Sequence, residues 1–344
     1  MVLVLAIGVA IWLIGAQMNA SVRARIVLIG GLYGLVLLAQ VLLAQTHPVR
    51  QMLGGSLGEW VLLGVLVAVV FGYRAVLGRL KARAQPVVEP VSGGKLQGAE
   101  LERYARHIML REIGGTGQRK LKQARVLVIG AGGLGSPALM YLAAAGVGTV
   151  GVIDDDVVEA TNLQRQIAHS DDRIGMPKVF SAQAAMTAVN PYVQVRPYHR
   201  RLESDIADEL IAEYDLVLDG TDNFDTRYLA NAACVAAGKP LISGALTQWE
   251  GQISVFDPAQ DAPCYQCVFP EAPAAHLAPS CAEAGVLSPL PGVIGAMMAV
   301  EAVKLITGAG ESLRGRMLIY DALYGETRLI GVSRRATCAT CGAR

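Results

Sequence analysis

Two groups of residues in this chain have the types and spacing to do chemistry. One is a glycine-rich turn followed by acids and cations; the other is four cysteines in two pairs. In RVLVIGAGGLG, Arg125 to Gly135, an apolar run leads into Gly130, Gly132, Gly133 and Gly135. Such a turn brings the backbone close to an anion. The helix expected from about Ser136 to Ala145 then aims its first amides and its positive dipole end at that anion. Asp154 follows about 20 residues later, where a ribose-binding carboxylate belongs. A turn of this kind also serves other nucleotides, or plain tight packing, so the residues that follow have to discriminate.

They favour a triphosphate. DDDVVEATNLQRQ, Asp154 to Gln166, offers Asn162, Gln164 and Arg165, more hydrogen-bonding groups than a turn needs, and Lys178 opens the next helical stretch, Lys178 to Val189. Hydride transfer requires an open nicotinamide face and a proton donor. Two cations beyond the ribose position suit phosphates instead. After the strand expected at Leu216 to Leu218 comes Asp219, Thr221, Asp222, Asn223 and Asp225, at the edge of a parallel sheet where nucleotides and their metals bind. Asp222 could hold Mg²⁺; equally, Asp222 or Asn223 could cap the helix that follows.

Cys264 and Cys267 form one C-x-x-C and Cys338 and Cys341 another. Two such pairs make a closed tetrathiolate zinc site that ties the end of the chain to its middle. Cys234, in an Ala-rich helix, reads as a small buried side chain. Cys281 lies on a loop rich in glycine and proline, where a thiol could be a nucleophile or incidental.

These groups need elements to hold them. The chain has 344 residues, 53% hydrophobic, with a net charge of +1, and so has room for about two domains. That charge gives no electrostatic argument for nucleic acid, and none is expected as a partner. The mean hydropathy of +0.40 owes its excess to the first 80 or so residues. Met1 to Ala16 and Ile26 to Leu43 carry no charge, and Trp60 to Leu77 is interrupted only by Arg74, which can snorkel. They read as three transmembrane helices. Arg23 and Arg25 precede the second, and Arg74, Arg79, Lys81 and Arg83 crowd the end of the third. The positive-inside rule then puts the amino terminus outside and everything after Arg83 in the cytoplasm, as a multi-pass protein of the cell's inner membrane. That is a reducing compartment, which favours zinc over disulfides. A cleaved signal peptide is the competing reading, but no basic region precedes the first segment.

The resulting division is residues 1–83 as membrane anchor, 84–98 as a linker rich in proline, glycine and serine, and 99–344 as one large α/β domain. Continuous apolar runs, Val126 to Ile129 and Val150 to Ile153, are those of a mainly parallel sheet buried on both faces. Leu101, Tyr104, Ala105, Ile108 and Met109 give a helical stripe through Glu100 to Arg111. From spacing alone, Arg103 and Arg106 on that helix are a solvated face.

Taken in order, RYARHIMLREIGGTGQRKL, VLVIGAGGLGSPALMYLAAAGVG, IDDDVVEATNLQRQ, DLVLDGTDNFDTRY, PCYQC, SCAEAGVL and CATCG resemble the ThiF/MoeB/HesA family of ubiquitin-like-protein activating enzymes, from Leu101 to Gly342. The resemblance implies a Rossmann-like ATP-binding domain and a homodimer. It implies that each subunit binds Mg²⁺ and ATP and adenylates the C-terminal glycine of a small ubiquitin-like sulfur carrier. Gly133 and its neighbours would hold phosphates and Asp154 the ribose. The run Thr161, Asn162, Leu163, Gln164, Arg165, together with Lys178, would hold the triphosphate, and Asp222, with Asn223 beside it, the metal. Arg106 would reach the nucleotide of the other subunit, which reverses its reading as a solvated face. Cys281 matches a loop cysteine that some members link covalently to the carrier. Thr161 stands where serine is usual, and Met298 where glutamine is common. No rhodanese-like stretch follows, so a separate sulfur donor is expected. GVLSPL and the full set of ATP residues favour the molybdopterin-synthase-activating branch over the thiamine branch. A catalytically silent, membrane-tethered binding module is the alternative from another class.

Overall fold

The computed structural model describes residues 2–18, 21–83, 96–273 and 284–342. The chain divides into two compact units, Met1–Val87 and Val88–Arg344.

The first unit is helical: α1 (Val2–Gln17), α2 (Val22–Leu42), α3 (Pro48–Leu53) and α4 (Leu57–Arg83). Ser21 caps α2, its hydroxyl accepting from the Ala24 amide at 3.2 Å. Trp60 is buried between Val4 and Val36, its ring nitrogen donating to the Gly54 carbonyl at 2.8 Å. Val27, Leu35, Leu62 and Phe71 are exposed. A helix that is apolar all round calls for an apolar surround. Windows in α2 (Ala24–Leu42) and α4 (Leu57–Arg74) are long and apolar enough to cross a membrane. With 16 residues, α1 is shorter, about 24 Å against a hydrocarbon core of about 30 Å.

The second unit is built on one eight-stranded sheet in the order β3-β2-β1-β4-β5-β6-β7-β8. The strands are β1 (Arg125–Ile129), β2 (Thr149–Ile153), β3 (Gln194–Tyr198), β4 (Leu216–Asp219), β5 (Leu241–Leu246), β6 (Glu250–Phe256), β7 (Arg316–Asp321) and β8 (Glu326–Gly331). Neighbours from β3 to β5 pair in parallel, and those from β5 to β8 antiparallel. The sheet is thus parallel where the sequence reading put the nucleotide.

Alternation along each strand makes three layers. Val126, Val128, Val150 and Val152 pack with α8 (Gly135–Ala145), α9 (Lys178–Val189) and the long apolar helix Leu290–Thr307. Leu127, Ile129, Ile153 and Val217 face the other way, onto α10 (Ala207–Ala212) and α11 (Phe224–Ala237). Each fully buried Val or Leu contributes about 1.5–3 kcal/mol. Leu290–Thr307 is also long and apolar enough for a membrane, but half of it is buried in this core.

The single helix expected from Glu100 to Arg111 is instead two short ones, α5 (Gly98–Arg103) and α6 (Ala105–Ile108), followed by α7 (Gly114–Gln123). Tyr104 breaks it. Its backbone lies at φ −95°, ψ 9°, its ring is buried, and its hydroxyl accepts from the Asn190 amide at 2.7 Å, 86 residues away.

Gly130 has φ +90°, a conformation that L side chains rarely adopt. Gly135 is required for a different reason: a Cβ there would overlap the Gly130 carbonyl oxygen. Gly135→Ala is therefore expected to destabilise the domain by more than about 2 kcal/mol, read as a fall in Tm of more than about 4 °C. An unchanged Tm would mean that the loop packs differently.

Candidate active site and metal centre

A cavity of about 1,070 Å³ opens at the carboxyl ends of β1, β2 and β4. Gly130, Gly132, Gly133, Asp154, Asn162, Arg165, Lys178, Asp222 and Asn223 all line it. Residues far apart in the sequence thus share one cavity. Gly135 lies behind the loop, in the first turn of α8. Thr161 is exposed, and Gln164 is held through its carbonyl by the Ser288 hydroxyl. Neither these two nor Leu163 lines the cavity. Arg106 is exposed on α6, outside it. Cys281 lies outside the described residues.

The first bond of the α8 ladder runs from Ser136 N to Gly132 O, at 2.9 Å. The amides of the preceding turn therefore stand at a helix N-terminus, which favours an anion. Asp154 fixes that turn: one carboxylate oxygen accepts from the Ala131 amide at 2.7 Å, the other from Asp156 at 2.8 Å. The residue expected to hold a ribose thus also shapes the phosphate loop. Ala131 is clamped from its other side as well. Its carbonyl accepts from Ser136 Oγ at 3.2 Å and from His169 Nε2 at 2.9 Å. Since a carbonyl only accepts, Nε2 carries the imidazole proton and Nδ1 accepts from the Ser181 hydroxyl at 3.0 Å. Burial holds the His169 pKa below its ordinary value, so the ring keeps this neutral tautomer.

Two cations line the same cavity. Lys178, the first residue of α9, is buried and pairs with Asp156 Oδ2 at 2.6 Å, while the Asp156 side chain is exposed. Arg165 is aimed by Asn162, whose Oδ1 accepts from the guanidinium at 3.2 Å. The loop bearing Asp222 is locked by Arg227, which donates to Ser243 Oγ and Gly244 O at 2.8 Å each and also to Thr221 O. Asp219, fully buried, accepts from the Thr221 amide and hydroxyl at 3.0 and 2.7 Å. Of the two residues that could have capped α11, Asn223 does so, accepting from Thr226 N at 3.0 Å. Asp222 is left exposed on the cavity wall, a carboxylate available to a Mg²⁺–phosphate group.

A second arm of the same cavity runs over the antiparallel strands, lined by Ala245, Gly251, Gln252, Ile319 and Arg328.

The four paired cysteines meet as expected. Their Sγ atoms lie within 4.8 Å of one another, with Cys264 3.8 Å from Cys267 and 3.6 Å from Cys338, and Cys267 3.4 Å from Cys341. A tetrahedron with Zn–S bonds of about 2.3 Å has edges of about 3.8 Å, whereas a disulfide needs about 2.05 Å. The donor set fits zinc and excludes disulfides in this arrangement. Burial, with the neighbouring sulfurs, pushes the Cys264 thiol well up, so four thiolates are stable together only around a cation.

Two residues of the site are not singled out by the sequence: Gln166, which ends the run DDDVVEATNLQRQ, and His169, three residues beyond it. His169 and Gln166 are each buried against the glycine loop, more than 30 positions upstream, and only the fold brings them there.

A model of the ThiF family matches residues 104–340. The chain is 49% identical over 247 residues to a sulfur carrier protein adenylyltransferase of Thermus thermophilus, covering 71% of this chain and 91% of that protein. It is 50% identical over 254 residues to the probable adenylyltransferase/sulfurtransferase MoeZ of Mycobacterium tuberculosis, covering 72% of this chain but only 64% of that longer protein. Among solved structures, E. coli MccB in a crystal with ATP is similar, with TM-score 0.60 and 23% identity over 70% of this chain and 74% of that one. At that identity the likeness is one of fold.

Proposed function

The chain belongs to the ThiF family, and from that premise we propose that it adenylates the C-terminal carboxylate of a small ubiquitin-like sulfur carrier with ATP. The observation that carries the reading is the convergence of Gly132, Gly133, Asp154, Arg165, Lys178 and Asp222 on one cavity. A nicotinamide enzyme has no use for the last three together. The adenylyltransferase names of the Thermus and Mycobacterium relatives support the same reaction class.

In this reaction a carboxylate oxygen of the carrier forms a bond to the α-phosphorus of ATP, and the bond from that phosphorus to the β-phosphate oxygen breaks. Pyrophosphate leaves and an acyl adenylate remains. The nucleophile is already ionised, so no general base is required. The barrier is electrostatic, since both reactants are anions. Lys178 and Arg165 neutralise the phosphates and stabilise the charge that develops on the leaving pyrophosphate. Asp154 and His169 hold the loop on which those phosphates rest. Asp222 would hold Mg²⁺, which supplies further neutralisation when bound. The second arm of the cavity would take the carrier's tail in extended form, delivering its last residue to the α-phosphate.

Arg106, outside this cavity, acts across a homodimer on the partner's nucleotide. The cysteine cluster holds structural zinc. The apolar helices α1, α2 and α4 anchor the chain in the cell membrane, with the catalytic domain on the cytoplasmic side. GVLSPL favours a carrier of the molybdopterin type.

The test is ATP–pyrophosphate exchange by the full-length protein in mild detergent, with a molybdopterin-type and a thiamine-type carrier supplied separately. Exchange is expected with the former. Exchange only with the thiamine-type carrier would keep adenylation and overturn the branch. ATP binding without exchange on either would favour the silent binding module.

A further inference from the structure

Gln166 is 4% exposed, lines the cavity, and carries a side-chain Oε1 that is buried without any hydrogen-bond partner among the described residues. Its backbone is fixed in a helical turn: Gln166 N donates to Asn162 O at 3.0 Å and Gln166 O accepts from His169 N at 3.1 Å. The other end of the amide points at the phosphate loop. A Cβ on Gly132 would lie 3.7 Å from Gln166 Nε2, and a Cβ on Gly133 would lie 3.7 Å from Arg165 Cδ. Two consecutive side chains therefore stand over two consecutive glycines, one charged and one neutral.

We propose that Gln166 is a further phosphate-binding residue of this site, donating from Nε2 to the phosphoryl group that rests on Gly132. The inference rests on the adenylation reading for its ligand, ATP. A phosphate, itself an acceptor, cannot meet Oε1; it is Nε2 that stands nearest to where a Gly132 Cβ would be, and Nε2 has donors to give. Flipping the amide would set an oxygen against the phosphate and bury the donors without an acceptor, so the ligand selects the orientation described. The division of labour is chemical. Arg165 and Lys178 supply charge, while Gln166 supplies a directional donor that adds none.

The experiment is calorimetric titration of the full-length protein, wild type and variants, with ATP, ADP, AMP and adenosine. Gln166→Leu, which keeps the volume and removes both polar ends, is expected to weaken ATP about 10-fold or more while leaving adenosine within about twofold. Gln166→Glu, which sets a carboxylate against the phosphate, is expected to weaken ATP about 100-fold with adenosine again unchanged. A purely structural role would lower adenosine and ATP affinity in parallel, and that outcome overturns the proposal. So does ATP affinity in Gln166→Leu equal to wild type. Wild-type exchange activity, measured alongside, separates the two readings. Wild-type ATP binding without exchange sinks adenylation but leaves Gln166 in place, whereas exchange with an indifferent Gln166→Leu sinks only the role of Gln166. A wild type that binds no nucleotide overturns both.

Discussion

Replacing Lys178 by alanine is expected to lower the exchange rate at saturating ATP by about 10³-fold, a loss of about 4 kcal/mol of transition-state stabilisation. The size follows from its setting. Lys178 is 4% exposed, so its charge acts through protein rather than water, and its one ion-pair partner among the described residues, Asp156, is itself exposed. Removing the cation leaves no uncompensated charge in the core, because water solvates Asp156. Stability should move little, with Tm shifting by no more than a few degrees. Lys178→Arg should recover only part of the rate, since the guanidinium is a bulkier, planar group than the buried ammonium it replaces. Exchange within about threefold of wild type in Lys178→Ala would remove Lys178 from the mechanism.

Loss of the cysteine cluster should instead act on stability. Cys267→Ala removes one ligand of four and leaves three buried thiols around an incomplete site. A cost of at least about 4 kcal/mol, or roughly 10 °C in Tm, is expected for a domain of this size. Wild-type protein should carry about one Zn²⁺ per chain by elemental analysis, and the variant far less. Burial raises the Cys264 thiol, so this ligand must release a proton on metal uptake, and zinc affinity should fall as pH is lowered. A metal-free wild type with an unchanged Tm would sink the zinc assignment.

The parts of this architecture that were legible in the sequence are those governed by local rules. The apolar runs of β1 and β2, the glycine turn and the ends of α9 each follow from spacing, buried period or a terminating Asn-Pro within a few residues. The pairs of cysteines were legible because two C-x-x-C repeats each set a pair of thiols to converge. Other features depend on partners distant in sequence. The break at Tyr104 is set by Asn190, and the helical stripe through Ile108 and Met109 gives no hint of it. Asp222 and Asn223 were equal candidates for the cap of α11, and only backbone geometry chose Asn223. His169 and Gln166 are ordinary residues until the loop at Gly130 to Gly133 folds against them. Asp154 lines the cavity, but its two backbone hydrogen bonds, which give it a task in shaping the loop, were not foreseeable.

The change from parallel to antiparallel pairing at β5 also has an evolutionary consequence. The phosphate loop, Asp154 and the Asp222 loop hang from the ends of β1, β2 and β4, whereas the second arm of the cavity is lined from β5, β6, β7 and β8. Substitutions at Gln252, Ile319 or Arg328 can therefore accumulate without disturbing the nucleotide residues. If the second arm takes the carrier's tail as proposed, a lineage built on this sheet can exchange one protein client for another while its energy source stays fixed.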